Sequence, residues 1–246
     1  MSSTTVKVDE VAMVRDALFT SGLIAGATTM VDVGAHKGTS FAPFVRSGWD
    51  VWAFEPSTVM YDGLVERFGE WRNLQIFPVA ISDTVANDVS FFKSDQSTGI
   101  SSLLDFHPSH ELAETVATRR LDALPLDQLD FLKIDTEGYD RNVFRSRGSL
   151  VPRVIVTEFE DSKTLELGYS AGDYAEELVE AGYRVWVSEW DPIVRYGGDH
   201  SWRRLFRYEG AAPDSAAWGN YIAVHETVEI DSEMIDAQLH AAATRG

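Results

Sequence analysis

Short apolar runs alternate along this chain with amphipathic stretches. "TMVDVG", "WDVWAFEP" and "NLQIFPVAI" are apolar segments of strand length, each bounded by a breaker or an acid, while "SFAPFVRSG" and "STVMYDGLVERFG" between them carry helical spacing. Such alternation predicts a parallel sheet with helical crossovers. Ahead of it, a helix is expected from Asp9, with Val11, Val14, Leu18 and Phe19 on one side, ending near Ser21 and Gly22. Between Asp83 and Asp127 the rhythm changes. There "NDVSFFKS" and "AETVATRRL" alternate as strands around the loop-like "STGISSLLDFHPSHE", which predicts an antiparallel excursion. The parallel pattern resumes with strand "LDFLKID", helix "DRNVFRSRG", strand "VPRVIVTEFE", helix "AGDYAEELVEAG" and strand "YRVWVSEW". Residues 191–217 read as loop, "GNYIAVHE" as a last strand, and "SEMIDAQLHAAATR" as a helix capped near Ser232. The expectation is an α/β protein with one domain over 1–246. It comprises a helical extension (1–28), a Rossmann-like core (29–226) with a mostly parallel, doubly wound sheet and an antiparallel last strand, and a helical tail (227–246).

Composition narrows the partners. With 246 residues, 44% of them hydrophobic, the chain can bury a substantial core, and its net charge of -18 repels phosphate backbones and anionic membranes. Nucleic acid is not expected as a partner. There is no cysteine, so disulfides, thiolate nucleophiles and zinc–thiolate sites are excluded. No run approaches the roughly 20 apolar residues of a membrane span, and "MSSTTVKVDE" lacks the basic and apolar regions of a signal peptide, so a cytoplasmic location is expected. Oligomeric state stays open, a homo-oligomer included.

The octet "VDVGAHKG" is the first chemical cue. Asp32 ends a strand, Gly34 and Gly38 permit positive φ and close backbone approach, and a helix beginning near Thr39 offers unpaired N–H groups. A dinucleotide site needs G-x-G-x-x-G, but position 36 is His; a Walker A loop needs lysine after its last glycine, whereas here "HKG" reverses that order. S-adenosylmethionine (SAM) remains, with Asp32 for its ammonium and the turn's amides for its carboxylate. The next strand ends in Glu55-Pro56, where a carboxylate can accept hydrogen bonds from both ribose hydroxyls of an adenosine ligand. The third ends in Ala80, Ile81 and Ser82, suited to lining an adenine or, equally, to ordinary core packing.

With Asp32, Gly34, Gly38, Glu55, "PVAIS", "RRLDAL", "LDFLKIDTEGYD" and "VIVTEFE" in this order, the chain resembles the FkbM-type SAM-dependent methyltransferases from Met30 to Phe159. "KIDTEG" is the most specific piece. The resemblance implies a class I methyltransferase fold, SAM as cosubstrate and O-methylation of a small-molecule hydroxyl, on a sugar or a glycosylated natural product. The family often carries Asn where this chain has His36. Related macrocin-type enzymes use Mg²⁺ with acidic ligands, so Mg²⁺ is a further candidate, with no ligand set assigned.

Ligand crevices of open parallel sheets lie at the carboxyl ends of strands. Lys133, Asp135 and Glu137 leave the fourth strand there and Glu158 the fifth. Methyl transfer to an unactivated alcohol needs a base, and Asp135 is the first candidate, as base or as metal ligand. Lys133 is expected to pair with it, while Glu137 either joins the site or caps the following helix. His36 either touches a ligand or satisfies the loop. His107 and His110 fit a surface loop better than a metal site. His200, in "YGGDHSWRRLF", could belong to a substrate lid with Trp202, Arg203 and Arg204, although packing of that loop explains it as well. The hydroxyl-rich "STGISSL", Ser97 to Leu103, lies where acceptor or cosubstrate could be contacted. Three rival classes share some of these features: a nicotinamide-dependent oxidoreductase, a SAM-binding protein without catalysis, and a glycan-binding module.

Overall fold

A computed structural model of the protein describes residues 8–94, 98–194, 198 and 200–244. The chain divides into two compact units: a middle unit, Thr28–Pro152, and a terminal unit made of Met1–Ala27 with Arg153–Gly246.

The terminal unit starts with α1 (Glu10–Val14), which runs into a π-helical stretch at Arg15–Thr20. Asp9 caps α1, its carboxylate accepting the Ala12 N–H at 2.9 Å. The wider π turn shifts the inward face. Glu10, Met13, Val14, Ala17 and Leu18 are buried, while Val11 and Phe19, expected on that face, are only half-buried.

The middle unit follows with β1 (Thr29–Val33), α2 (Ala42–Arg46), β2 (Asp50–Phe54), α3 (Thr58–Phe68) and β3 (Leu74–Phe77). It continues with β4 (Ala80–Ile81), β5 (Ala86–Ser94), β6 (His110–Arg119), β7 (Phe131–Ile134) and α4 (Asp140–Arg145). Strands β7-β1-β2-β3 lie side by side, all parallel. Every residue of β7 and the last four of β1 are buried, as expected of strands covered on both faces. The run "NLQIFPVAI" does not form one strand. Pro78 lacks an N–H and follows the end of β3; beyond it Ala80–Ile81 joins a second sheet, β4-β6-β5. Here β5 and β6 form the expected antiparallel excursion around a small core of Ala80, Phe91 and Val116. This is the Rossmann-like part of an α/β fold.

The chain then re-enters the terminal unit with β8 (Val154–Glu160), α5 (Asp161–Thr164), α6 (Ala171–Glu180) and β9 (Tyr183–Trp190). It ends with β10 (Trp202–Arg207), β11 (Trp218–His225) and α7 (Ser232–Ala243). Ser170 and Asp173 close a reciprocal capping box on α6. The strand order is β10-β9-β11-β8, with β11 antiparallel to both β8 and β9, as expected of the last strand. The segment read as loop over 191–217 contains β10, an added antiparallel strand on β9 with a register break between Trp202 and Arg204. The cap of α7 is Asp231, one residue before the expected Ser232. Among the described residues, no helix is long and apolar enough to cross a membrane.

Candidate active site

The turn after β1 owes its shape to contacts within the protein. Gly34 has φ +79°, and a Cβ there would stand 1.8 Å from the Asp135 carbonyl oxygen, so only glycine lets these two strand ends come together. Gly38 faces inward: its missing Cβ leaves room for the rings of Phe41 and Phe68 and for Leu64. Its purpose is packing under α3. Thr39 is exposed, and α2 begins only at Ala42.

Asp32 and Lys133 are register partners on the neighbouring parallel strands β1 and β7. The Lys133 ammonium lies 3.1 Å from Asp32 Oδ1 and 3.5 Å from Asp135 Oδ2, and it donates to the Gly34 carbonyl at 2.7 Å. Burial by itself would lower the lysine pKa, but the two carboxylates outweigh it and hold the ammonium above the usual lysine range. The Asp32 side chain has no exposed surface, and burial pushes its carboxyl up against the pull of Lys133. Asp135 differs sharply, with 47% of its side chain exposed. The aspartate expected to meet a ligand ammonium is thus the buried counterion of a lysine; the one expected to be a base reaches solvent.

A cavity of about 240 Å³ opens beside these strand ends, entirely within the middle unit. Val33, Gly34 and His36 line it from the first turn, and Glu55, Pro56 and Ser57 from the end of β2. Ala80 and Ile81 contribute from β4, while Asp135, Thr136, Glu137 and Tyr139 contribute from the loop after β7. Thr98, Gly99, Ser101, Ser102 and Leu103 form a further wall; Ser97, grouped with them in the sequence, is outside the described residues. Asp32, Gly38, Thr39, Ser82 and Lys133 are not among the described residues that line it. Ser82 is buried and turns its hydroxyl to Asp83. Met60, Phe91 and Tyr139 line the cavity without having been singled out from the sequence. Tyr139 was legible in principle, because it follows "KIDTEG" directly.

Glu55 is 5% exposed and lines this cavity. Its Oε2 accepts the His36 N–H and its Oε1 the Ser57 N–H, each at 2.8 Å. Each oxygen keeps one further acceptor position, the arrangement two vicinal hydroxyls require. Burial lifts this carboxyl above its usual range, and the two amides pull it back. The His36 pKa is lowered by burial, with Lys37 adding to the effect, which favours a neutral ring.

Two sequence candidates belong to the terminal unit. Glu158 Oε2 accepts from Lys163 Nζ at 3.0 Å. His200 packs edge-on against Trp218, ring centroids 5.2 Å apart, and Arg203 pairs with Glu189, Asp191 and Asp214, all within that unit. Tyr196, Gly197 and Asp199 of the lid segment lie outside the described residues. Of the two histidines read as a surface loop, His110 is the more enclosed. Its Nε2 bonds the Ile100 carbonyl at 2.8 Å, while His107 Nδ1 pairs with Ser109 at 2.7 Å.

The family profile "Methyltransferase FkbM domain" matches residues 32–185. That is well over half of the chain, and the protein belongs to this family of SAM-dependent methyltransferases. No curated protein matches it. Among solved structures, similarity extends to precorrin-6y C5,15-methyltransferase from Geobacter metallireducens. It has 14% identity and a TM-score of 0.46, with 91% of this chain and 92% of that one covered. A second is magnesium protoporphyrin IX methyltransferase from Synechocystis with bound SAH, at 14% identity and a TM-score of 0.46, covering 88% and 82%. The cavity fits SAM on its own evidence: a nearly buried carboxylate with open acceptor positions at the end of β2, and a second, half-exposed carboxylate after β7.

Proposed function

We propose that this methyltransferase transfers the methyl group of SAM to a hydroxyl oxygen of a small molecule, a sugar or a glycosylated natural product. The observation that carries the reading is Asp135, a carboxylate fixed on one side by a buried ammonium and open on the other to the cavity that Glu55 also lines. SAM supplies an electrophilic methyl on a sulfonium that leaves as a neutral thioether. Glu55 is assigned to the ribose hydroxyls, with Pro56, Ala80 and Ile81 beside the adenine. The amides of the Gly34–His36 turn, expected to meet the cosubstrate carboxylate, are left out of this assignment because each donates within the protein: Gly34 and Ala35 N–H to the Phe54 carbonyl at 3.0 Å each, and His36 N–H to Glu55. Asp135 is assigned to the acceptor: it takes the hydroxyl proton as the new O–CH₃ bond forms and the S–CH₃ bond breaks, then returns that proton to solvent. Lys133 keeps Asp135 in place through their ion pair at 3.5 Å. Asp135 and Glu137 are also the cavity carboxylates to which a divalent cation such as Mg²⁺ could bind, and a chelator titration decides whether one is needed.

The test is Asp135→Asn, assayed with labelled SAM against neutral glycosides, sugar nucleotides and polyketides, with product read by mass spectrometry. Turnover should fall about 10²–10⁴-fold, the range for loss of a general base, while calorimetric SAM affinity stays within about threefold. Full turnover in the variant would remove Asp135 from the mechanism. Retention of NADH instead of SAM would return the protein to the oxidoreductases.

A further inference from the structure

Among the described residues, two other than glycine have left-handed backbone conformations, His36 at φ 48° and Glu137 at φ 56°. Residues other than glycine seldom adopt this region, and where they do the strain tends to collect at functional sites. Both line the cavity, one from the turn after β1 and one from the loop after β7. They also hold the same short segment. The His36 ring is hydrogen-bonded through Nε2 to Thr98 Oγ1 at 3.0 Å, and the Glu137 carbonyl accepts Ser102 Oγ at 2.9 Å.

The two anchors are unequal. Ser102 is buried, its backbone exchanges both hydrogen bonds with Phe92, and its hydroxyl also reaches the Thr136 carbonyl at 3.3 Å. Ile100, between them, is buried and held by His110. Thr98 is exposed, and its side chain reaches the turn after β1 through one hydrogen bond. The Ser102 end is therefore fixed by the fold; at the Thr98 end the carbonyl accepts Ser101 Oγ at 3.2 Å within the segment, and the side chain meets the turn after β1 through His36.

We propose that His36 is a positioning residue for methyl transfer: by holding the Thr98 side chain it sets the Thr98 end of the Thr98–Ser102 wall against the turn after β1. The proposal rests on the methyl-transfer reading of this cavity. His36 suits the role because its backbone N–H also fixes Glu55, so one residue holds both a cavity wall and a cavity carboxylate. It also gives a reason for histidine here, since an asparagine side chain is too short to make the same reach.

The experiment uses the full chain with Thr98→Val, Thr98→Ser, His36→Asn and the double variant His36→Asn/Thr98→Val. Asparagine tolerates the left-handed backbone, and the exposed Thr98 can change without disturbing a core. Two quantities are measured: hydrogen exchange of peptides covering 98–102 in the ligand-free protein, and calorimetric affinity for S-adenosylhomocysteine. Loss of one hydrogen bond of ordinary strength corresponds to about a three- to tenfold change. Thr98→Val and His36→Asn should each speed exchange and weaken affinity by that factor, the double variant no more than either, and Thr98→Ser should match the parent. Unchanged exchange in Thr98→Val, or losses that add in the double variant, would overturn the proposal. If the parent itself does not bind S-adenosylhomocysteine, the methyl-transfer reading fails. Exchange alone then decides the contact, faster exchange supporting it and equal exchange overturning it.

Discussion

Each unit of this protein buries a lysine near the end of a strand between two carboxylates, and the two arrangements differ in what they leave exposed. In the terminal unit Lys163 lies 3.0 Å from Glu158 and 2.8 Å from Glu160, both on β8, and each glutamate side chain is 10% exposed. That cluster is local, made by residues a few positions apart. In the middle unit Lys133 joins different strand ends, and its partners are unlike: Asp32 has no exposed surface and Asp135 has 47%. A buried ammonium by itself therefore does not mark a chemical site. The mark is asymmetry, in which one carboxylate is used up in neutralising the lysine and the other faces a cavity. The Lys163 cluster has the composition of a site without that asymmetry, its two glutamates being equally exposed.

The largest expected effect follows from that asymmetry. Lys133→Met would leave Asp32 fully buried without a counterion, and breaking a buried pair in this way costs about 3–5 kcal/mol. Lys163→Met leaves two glutamates whose side chains are each 10% exposed rather than fully buried, so its cost should be smaller, about 1–3 kcal/mol. Urea unfolding of the two variants makes the comparison, and an equal or greater loss for Lys163→Met would break it. A second variant sharpens it. Adding Asp32→Asn to Lys133→Met removes the stranded charge and should recover about 1–3 kcal/mol of the loss; no recovery would show that Asp32 was not the charge left exposed to burial.

Much of this contrast could not be read from the sequence, for physical reasons. The acids at strand ends were legible, because an apolar run closed by Asp or Glu marks where a buried strand meets a polar crevice. Asp32 and Asp135 look alike in that reading and both pair with Lys133; what separates them is burial, which depends on how the strands pack. Gly38 also looked like a ligand contact, although its missing Cβ makes room for Phe41 and Phe68. Met60 and Phe91 line the cavity as apolar residues indistinguishable from core. Strand β10 was missed because its burial is too sparse for alternation: of Trp202–Arg207 only Leu205 is buried. Parallel β1, β2 and β7, by contrast, are mostly apolar runs and were legible as such.

The smallest effect separates the units by the sign of their pH response. In the middle unit the His36 pKa is lowered by burial, so below the ordinary histidine value of about 6.5 the unfolded chain binds the proton more readily than the folded one. Its contribution is therefore lost as pH falls from neutrality through that range. In the terminal unit burial raises the Glu10 carboxyl, which accepts from Ser188 and Trp190 at 2.7 Å each. There the folded state binds the proton more readily, and the contribution present below the ordinary glutamate range is lost as pH rises through the folded value. Denaturant midpoints at pH 5.5 and 7.5 should show His36→Asn losing less stability on acidification than the parent. The difference should be under about 1 kcal/mol, because the half-exposed ring is partly screened by solvent. Glu10→Gln should change the pH dependence in the opposite sense, since it removes a contribution that weakens with rising pH. If both substitutions moved the acid branch in the same direction, the two groups would not be titrating as their surroundings dictate, and the neutral form assigned to the His36 ring would fall with them.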